Sequence, residues 1–119
     1  MNGIQIKRIY EKPDSEDGYR ILIDRLWPRG IKKEDVEINE WNKEIAPSTE
    51  LRKWFNHQQE KFEEFSELYK QELSNKGEQL SHIRSIAKTE NITLLYAAKD
   101  RKINHAVILQ KILSTENLE

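Results

Sequence analysis

The stretch ITLLYAAKDRKINHAVIL, residues 92–109, decides the fold. It passes from an unbroken apolar segment, through two small residues and a charged loop, into a second apolar segment. Ile92 to Tyr96 lacks the alternation of a half-buried strand, so it reads as a buried strand covered on both faces. Val107, Ile108, Ile112 and Leu113 fall at helical spacing and line a closing helix. Asn104 is a suitable N-cap for that helix, because its side-chain oxygen can accept from the first unsatisfied amides.

The same grammar extends outward. Ile21-Leu22-Ile23 is another continuous aliphatic run and a second candidate for a doubly covered strand. Ile4, Ile6, Arg8 and Tyr10 alternate with polar residues, as in a half-buried strand. The run from Pro13 to Gly18 is rich in turn formers and reads as a loop. Val36 and Ile38 suggest a short third strand. Pro47-Ser48-Thr49-Glu50 has the form of a helix start, a hydroxyl cap followed by an acid. Leu51, Trp54 and Phe55 share one face of that helix. Phe62, Phe65, Tyr69 and Leu73 stripe a second helix, and Leu80, Ile83, Ile86 and Ala87 a third. Helices between aliphatic strands predict a small single-domain α/β fold over residues 1–119. It is expected to have three layers, with a mostly parallel sheet of three to five strands flanked by helices. The link from Tyr10 to Tyr19 is short for a crossover with a helix. The first two strands are therefore either antiparallel or joined by a tight irregular loop.

Bulk properties restrict the function. The 119 residues suffice for one core, and 20 basic against 21 acidic side chains leave a net charge of −1. That balance argues against a general polyanion binder such as a nucleic-acid-binding protein. There is no cysteine, which removes disulfides, thiolate metal sites and a cysteine nucleophile. No apolar run approaches the roughly 18–20 residues of a membrane helix. Met1-Asn2-Gly3-Ile4 has neither a basic nor an apolar leader region. A cytoplasmic protein without membrane contact is expected, and its oligomeric state is not readable.

In open α/β sheets, ligands bind beyond the carboxyl ends of the strands. Two strands end here with chemistry attached. One delivers Asp24, Arg25, Trp27 and Arg29 in DRLWPRG, residues 24–30. The other ends at Tyr96 and delivers Lys99, Asn104 and His105. Free amides, a helix N-terminus and nearby cations form an anion site. Arg25, Arg29 and Lys99 would clamp an oxyanion, the backbone near Asn104 would donate to it, and Trp27 or Tyr96 would stack on a ring. Asp24 and His105 are the candidate catalytic pair, as acid–base groups. Simpler roles stand beside these. Arg25 can pair with Asp24, Asp35 or another acid, and Arg29 can be a solvated turn residue. The tryptophans can be core or core-edge, with Trp54 assigned to the core. His57 and His82 read as ordinary surface or cap histidines, and His105 can make a purely structural hydrogen bond. No metal-binding spacing and no glycine-rich phosphate loop is present, so no metal and no cofactor is expected.

Three blocks carry a resemblance: RIYEKPDSEDGYRILIDRLWPRGIKKED (8–35), WNKEIAPSTELRKWFNH (41–57) and ITLLYAAKDRKINHAVIL (92–109). In this order, over about residues 4–113, they resemble the YeaO-like branch of the domain-of-unknown-function family 488, small bacterial and archaeal proteins. The resemblance implies a small α/β fold, a cytosolic setting and no settled activity. Its recurrent blocks map onto Asp24, Arg25, Trp27, Pro28, Arg29 and Gly30. They map also onto Trp41, Ala46, Pro47, Ser48, Trp54, Phe55 and His57, and onto Tyr96, Ala97, Lys99, Asp100, Asn104 and His105. A sister branch has Cys-His-Arg where this chain reads Asn104-His105-Ala106, and a cysteine where Tyr96 stands. A thiol-based role in that branch therefore does not carry over.

Three functions compete. The first is binding of a phosphate- or carboxylate-bearing small molecule. The second is a hydrolase or transferase using Asp24 and His105 in the same crevice. The third is nucleic-acid binding through Lys7, Arg8, Arg25, Arg29, Lys32 and Lys33.

Overall fold

A computed structural model describes residues 3–115 of the chain. Four strands, β1 (Ile4–Arg8), β2 (Tyr19–Leu22), β3 (Glu40–Trp41) and β4 (Ile92–Tyr96), form one sheet in the order β1-β4-β2-β3. Every pairing is parallel, with Ile4 opposite Ile92, Tyr19 opposite Ile92 and Ile21 opposite Glu40. Four helices complete the fold: α1 (Thr49–Phe55), α2 (Phe62–Leu73), α3 (Gly77–Ala87) and α4 (His105–Ser114). The α/β fold with a parallel sheet and the four helical stripes read from the sequence are all present.

β4 is central and entirely buried, which accounts for its unbroken apolar run. Its side chains alternate between two cores. Leu94 and Tyr96 join Ile21, Ile23 and residues of all four helices in the larger core. Leu95 joins Leu22 and Ile9 in a smaller one, covered by Trp27, Ile31, Val36, Ile38 and Trp41. The helices therefore share one face of the sheet, and the third layer is built from the loops at residues 9–18 and 23–39. These loops contain only short 3-10 turns, Ser15–Asp17 and Lys33–Asp35.

One expectation needs correction, and one pair of alternatives is decided. The third strand is not at Val36 and Ile38. Those residues pack into the smaller core, and pairing with β2 begins only where the Asn39 amide reaches the Arg20 carbonyl. Nor are β1 and β2 antiparallel: both run parallel to β4, which lies between them. The connecting loop is the tight irregular one. It folds under the sheet and buries Asp17 against Lys7, Arg20, Gln5 and Thr93.

Hydrogen bonds also cover the outer edge of β1. The Gln110 side chain donates to the Ile4 carbonyl at 2.8 Å, and the Glu11 carboxylate accepts from the Arg8 amide at 2.9 Å. The Glu11 amide in turn donates to the Arg8 carbonyl.

Candidate functional site

The carboxyl ends of β2 and β4 lie side by side, because Ile23 donates to the Leu95 carbonyl just past their last paired residues. Beyond them opens a cavity of about 650 Å³. Asp24, Arg25, Trp27, Arg29, Lys99, Asn104 and His105 all line it. Two loops remote in sequence thus meet at one rim of the sheet.

Asp24 and Arg25 leave β2 in sequence but are anchored on different segments. One Asp24 carboxylate oxygen accepts from the Ala97 amide at 3.1 Å, and the other lies 3.2 Å from His105 Nε2. Its carbonyl accepts from the Trp41 indole at 2.7 Å. Arg25 instead donates to the carbonyls of Pro47 at 3.0 Å and Ala46 at 3.1 Å, in the loop before α1. Among the described residues, no carboxylate lies within ion-pair distance of Arg25, Arg29, Arg52 or Lys99.

His105 opens α4. Its Nε2 is 2.9 Å from the Ile23 carbonyl. A carbonyl only accepts, so Nε2 carries the proton and donates, and in the neutral ring Nδ1 is the acceptor. The Tyr69 ring meets the imidazole edge-on, with centroids 6.1 Å apart. Tyr69 is fully buried and donates to the Ile45 carbonyl at 2.6 Å, and burial holds its hydroxyl well above its ordinary pKa. Asn104 caps α4 as expected, accepting from the Val107 amide at 3.1 Å while its own amide donates to the Asp100 carbonyl. Asp100 accepts from the Lys102 and Ile103 amides, which hold its carboxyl below the usual range. The loop between β4 and α4 is therefore closed on itself by hydrogen bonds.

Tyr96 does not reach the cavity. It is 1% exposed in the larger core, because its position in β4 points it toward the helices. Trp27 lies at the cavity wall, but its indole donates to the Ile31 carbonyl at 2.6 Å and its ring packs edge-on against Trp41. The sequence reading missed Arg52 and the stacked rings of Phe55 and Phe65, whose centroids are 4.1 Å apart; all three line the cavity. His57 also lines it, in a left-handed conformation (φ 57°) after the left-handed C-cap Asn56 (φ 46°). The asparagine just past an amphipathic helix was the legible signal for that turn. Of the basic residues suggested for nucleic acid, Lys7 pairs with buried Asp17, and Arg8 donates to the carbonyls of Ala97 and Ala98.

Among the described residues, no group of three or more His, Cys, Asp or Glu side chains could hold a metal ion. No helix there is long and apolar enough to cross a membrane.

The profile described as the inactive DUF488-N3 subclade matches residues 3–119. The chain belongs to this DUF488 subclade. Within DUF488 it is 50% identical over 107 residues to the uncharacterized protein YeaO of Escherichia coli K12, covering 90% of this chain and 93% of the relative. It is 38% identical over 111 residues to the uncharacterized protein Rv3073c of Mycobacterium tuberculosis H37Rv, covering 93% of each. No solved structure matches this DUF488 chain.

Proposed function

We propose that the cavity binds a small molecule bearing a phosphate or carboxylate group and does not turn it over. The observation that carries this reading is the state of Arg25. Its guanidinium is partly buried and held along one side by two neutral carbonyls, with no carboxylate in ion-pair reach among the described residues. Withdrawing a charge from water without a counter-charge is costly. A bound oxyanion relieves that cost, and the unused N–H groups of the planar fork can grip it with parallel hydrogen bonds. Arg29, Arg52 and Lys99 on the same lining add a field that draws anions inward.

A second reading rests on the Asp24–His105 pair. A carboxylate beside an imidazole is the arrangement that orients a general base, as in a hydrolase or transferase. Two observations weigh against it. No serine, threonine or cysteine is among the lining residues, so there is no hydroxyl or thiol nucleophile there. The subclade is also described as inactive.

Titration calorimetry with inorganic phosphate, sugar phosphates, nucleotides and simple carboxylates tests the proposal. The expected result is saturable binding tighter than about 1 mM, about −4 kcal/mol. Arg25→Ala should weaken it at least about tenfold, as loss of a charged hydrogen-bonding partner does, with an unchanged circular dichroism spectrum. No binding across the panel, or equal binding by Arg25→Ala, defeats it. Phosphoesters, glycosides and nucleosides should stay intact. Turnover that falls about a hundredfold in His105→Ala would establish the second reading instead.

A further inference from the structure

We infer that the ligand carries, besides its acidic group, an N–H donor, and that Asp24 receives that donor. This rests on the anion-binding reading above and specifies its ligand.

The cavity holds opposite charges at fixed and separate points. Arg25 is tied to the loop before α1, through Pro47 and Ala46. Asp24 is tied to the end of β4 and the start of α4, through Ala97 and His105. Adjacent in sequence, the two side chains are pulled to different segments, and they form no ion pair with each other. The lining therefore has an unneutralised cation at one anchor and a carboxylate at the other.

Asp24 retains capacity to accept. One oxygen has a single backbone donor, and the other lies 3.2 Å from His105 Nε2, whose proton goes to the Ile23 carbonyl, whereas an ionised carboxylate has about four acceptor sites. The side chain is 17% exposed, so a ligand can reach it. His105 adds a second acceptor when neutral: Nε2 is committed to the Ile23 carbonyl, and Nδ1 has no hydrogen-bond partner among the described residues. A plain oxyanion would satisfy Arg25 and leave both acceptors unused.

Two ligand sources share this chemistry: an amino acid, and a nucleobase on a phosphorylated sugar.

Matched ligand pairs provide the test on the intact wild-type chain, by calorimetry. 3-Phenylpropionate and phenylalanine differ by the ammonium, and ribose 5-phosphate and adenosine 5′-monophosphate differ by the base. The N–H member of one pair should bind at least about tenfold more tightly, as expected for a hydrogen bond to a charged group. Asp24→Asn should abolish that gain, read as the ratio of the two affinities within the folded variant. The pair that shows the gain identifies the source. Acids that bind with no gain in either pair overturn this inference and leave the anion-binding reading intact. A gain that survives in folded Asp24→Asn also overturns it. Failure of every acid to bind overturns both.

Discussion

Asp17 has the largest consequence at the scale of one residue. Its side chain is 2% exposed and takes hydrogen bonds from Lys7, the Asp14 amide, Gln5 and Arg20. Burial alone pushes its carboxyl upward, but the donors from Lys7, Asp14 and Arg20 outweigh burial and hold it below the ordinary value. A depressed folded-state pKa gives stability that is fully present above the unfolded value near about 3.9 and fades as pH falls through the folded one. Asp17→Asn strands buried Arg20 and should cost about 3–5 kcal/mol at neutral pH, measured by urea unfolding. The variant should also lose part of the stability change that the wild type shows below about pH 4. A variant with wild-type stability would mean that Lys7 and Arg20 find other partners. None of this was legible in the sequence, where Asp17 sits among turn formers. Its burial depends on how the loop folds back under Thr93. Arg25 was half legible. Its place at a strand's end followed from the aliphatic run before it, but its carbonyl partners come from a segment more than twenty residues away.

Between elements, the loop from β1 to β2 makes one contact that admits no side chain. Gly18 has φ +68°, and a Cβ there would stand 2.2 Å from the Asn91 carbonyl oxygen at the entry to β4. Gly30 has φ +76° with nothing within 4 Å of such a Cβ. Gly30→Ala should therefore cost only the backbone strain, about 1–2 kcal/mol. Gly18→Ala adds displacement of β4 to that strain and should melt clearly lower. Equal melting of the two variants in a calorimetric scan would contradict the close packing of this loop. Elements with one strong periodicity were legible: the stripes of α2 and α3, the Ser48 cap that accepts from the Leu51 amide, and the apolar run of β4. The third strand was misplaced, because apolar content marks burial and not pairing. Val36 and Ile38 are half-buried against the smaller core, whereas Glu40–Trp41 carries the ladder with a charged residue. In the same way Tyr96, assigned to the ligand from its place at a strand's end, faces the core. Side chains alternate along a strand, and chain position alone does not say which face leads to the cavity.

Over the whole molecule, the cavity joins the end of β2, the start and end of the α1 segment, a ring of α2 and the loop into α4. A ligand held by all of them opposes unfolding of the entire chain. By mass action, ligand at a hundred times its dissociation constant adds about 2.7 kcal/mol. For a chain of this length that should raise the melting temperature by roughly 10 °C. Scanning calorimetry with the tightest binder from the titration panel measures it. A ligand that binds without raising the melting temperature would have to bind the unfolded chain equally well, which a site assembled from distant segments excludes. Because each wall comes from a different part of the chain, the existence of a crevice was legible from two strand ends, but its full lining was not.

The plugged rim of β1 has a last consequence. Parallel strands expose alternate backbone groups at a sheet's margin, and these are where a stray extended segment would zip on. Here Gln110 and Glu11 occupy such groups at Ile4 and Arg8, both ends of the strand, leaving an intruder only the short middle around Ile6. At the opposite margin β3 is two residues long. Among the described residues, edge-to-edge stacking of copies therefore finds no continuous template at either border.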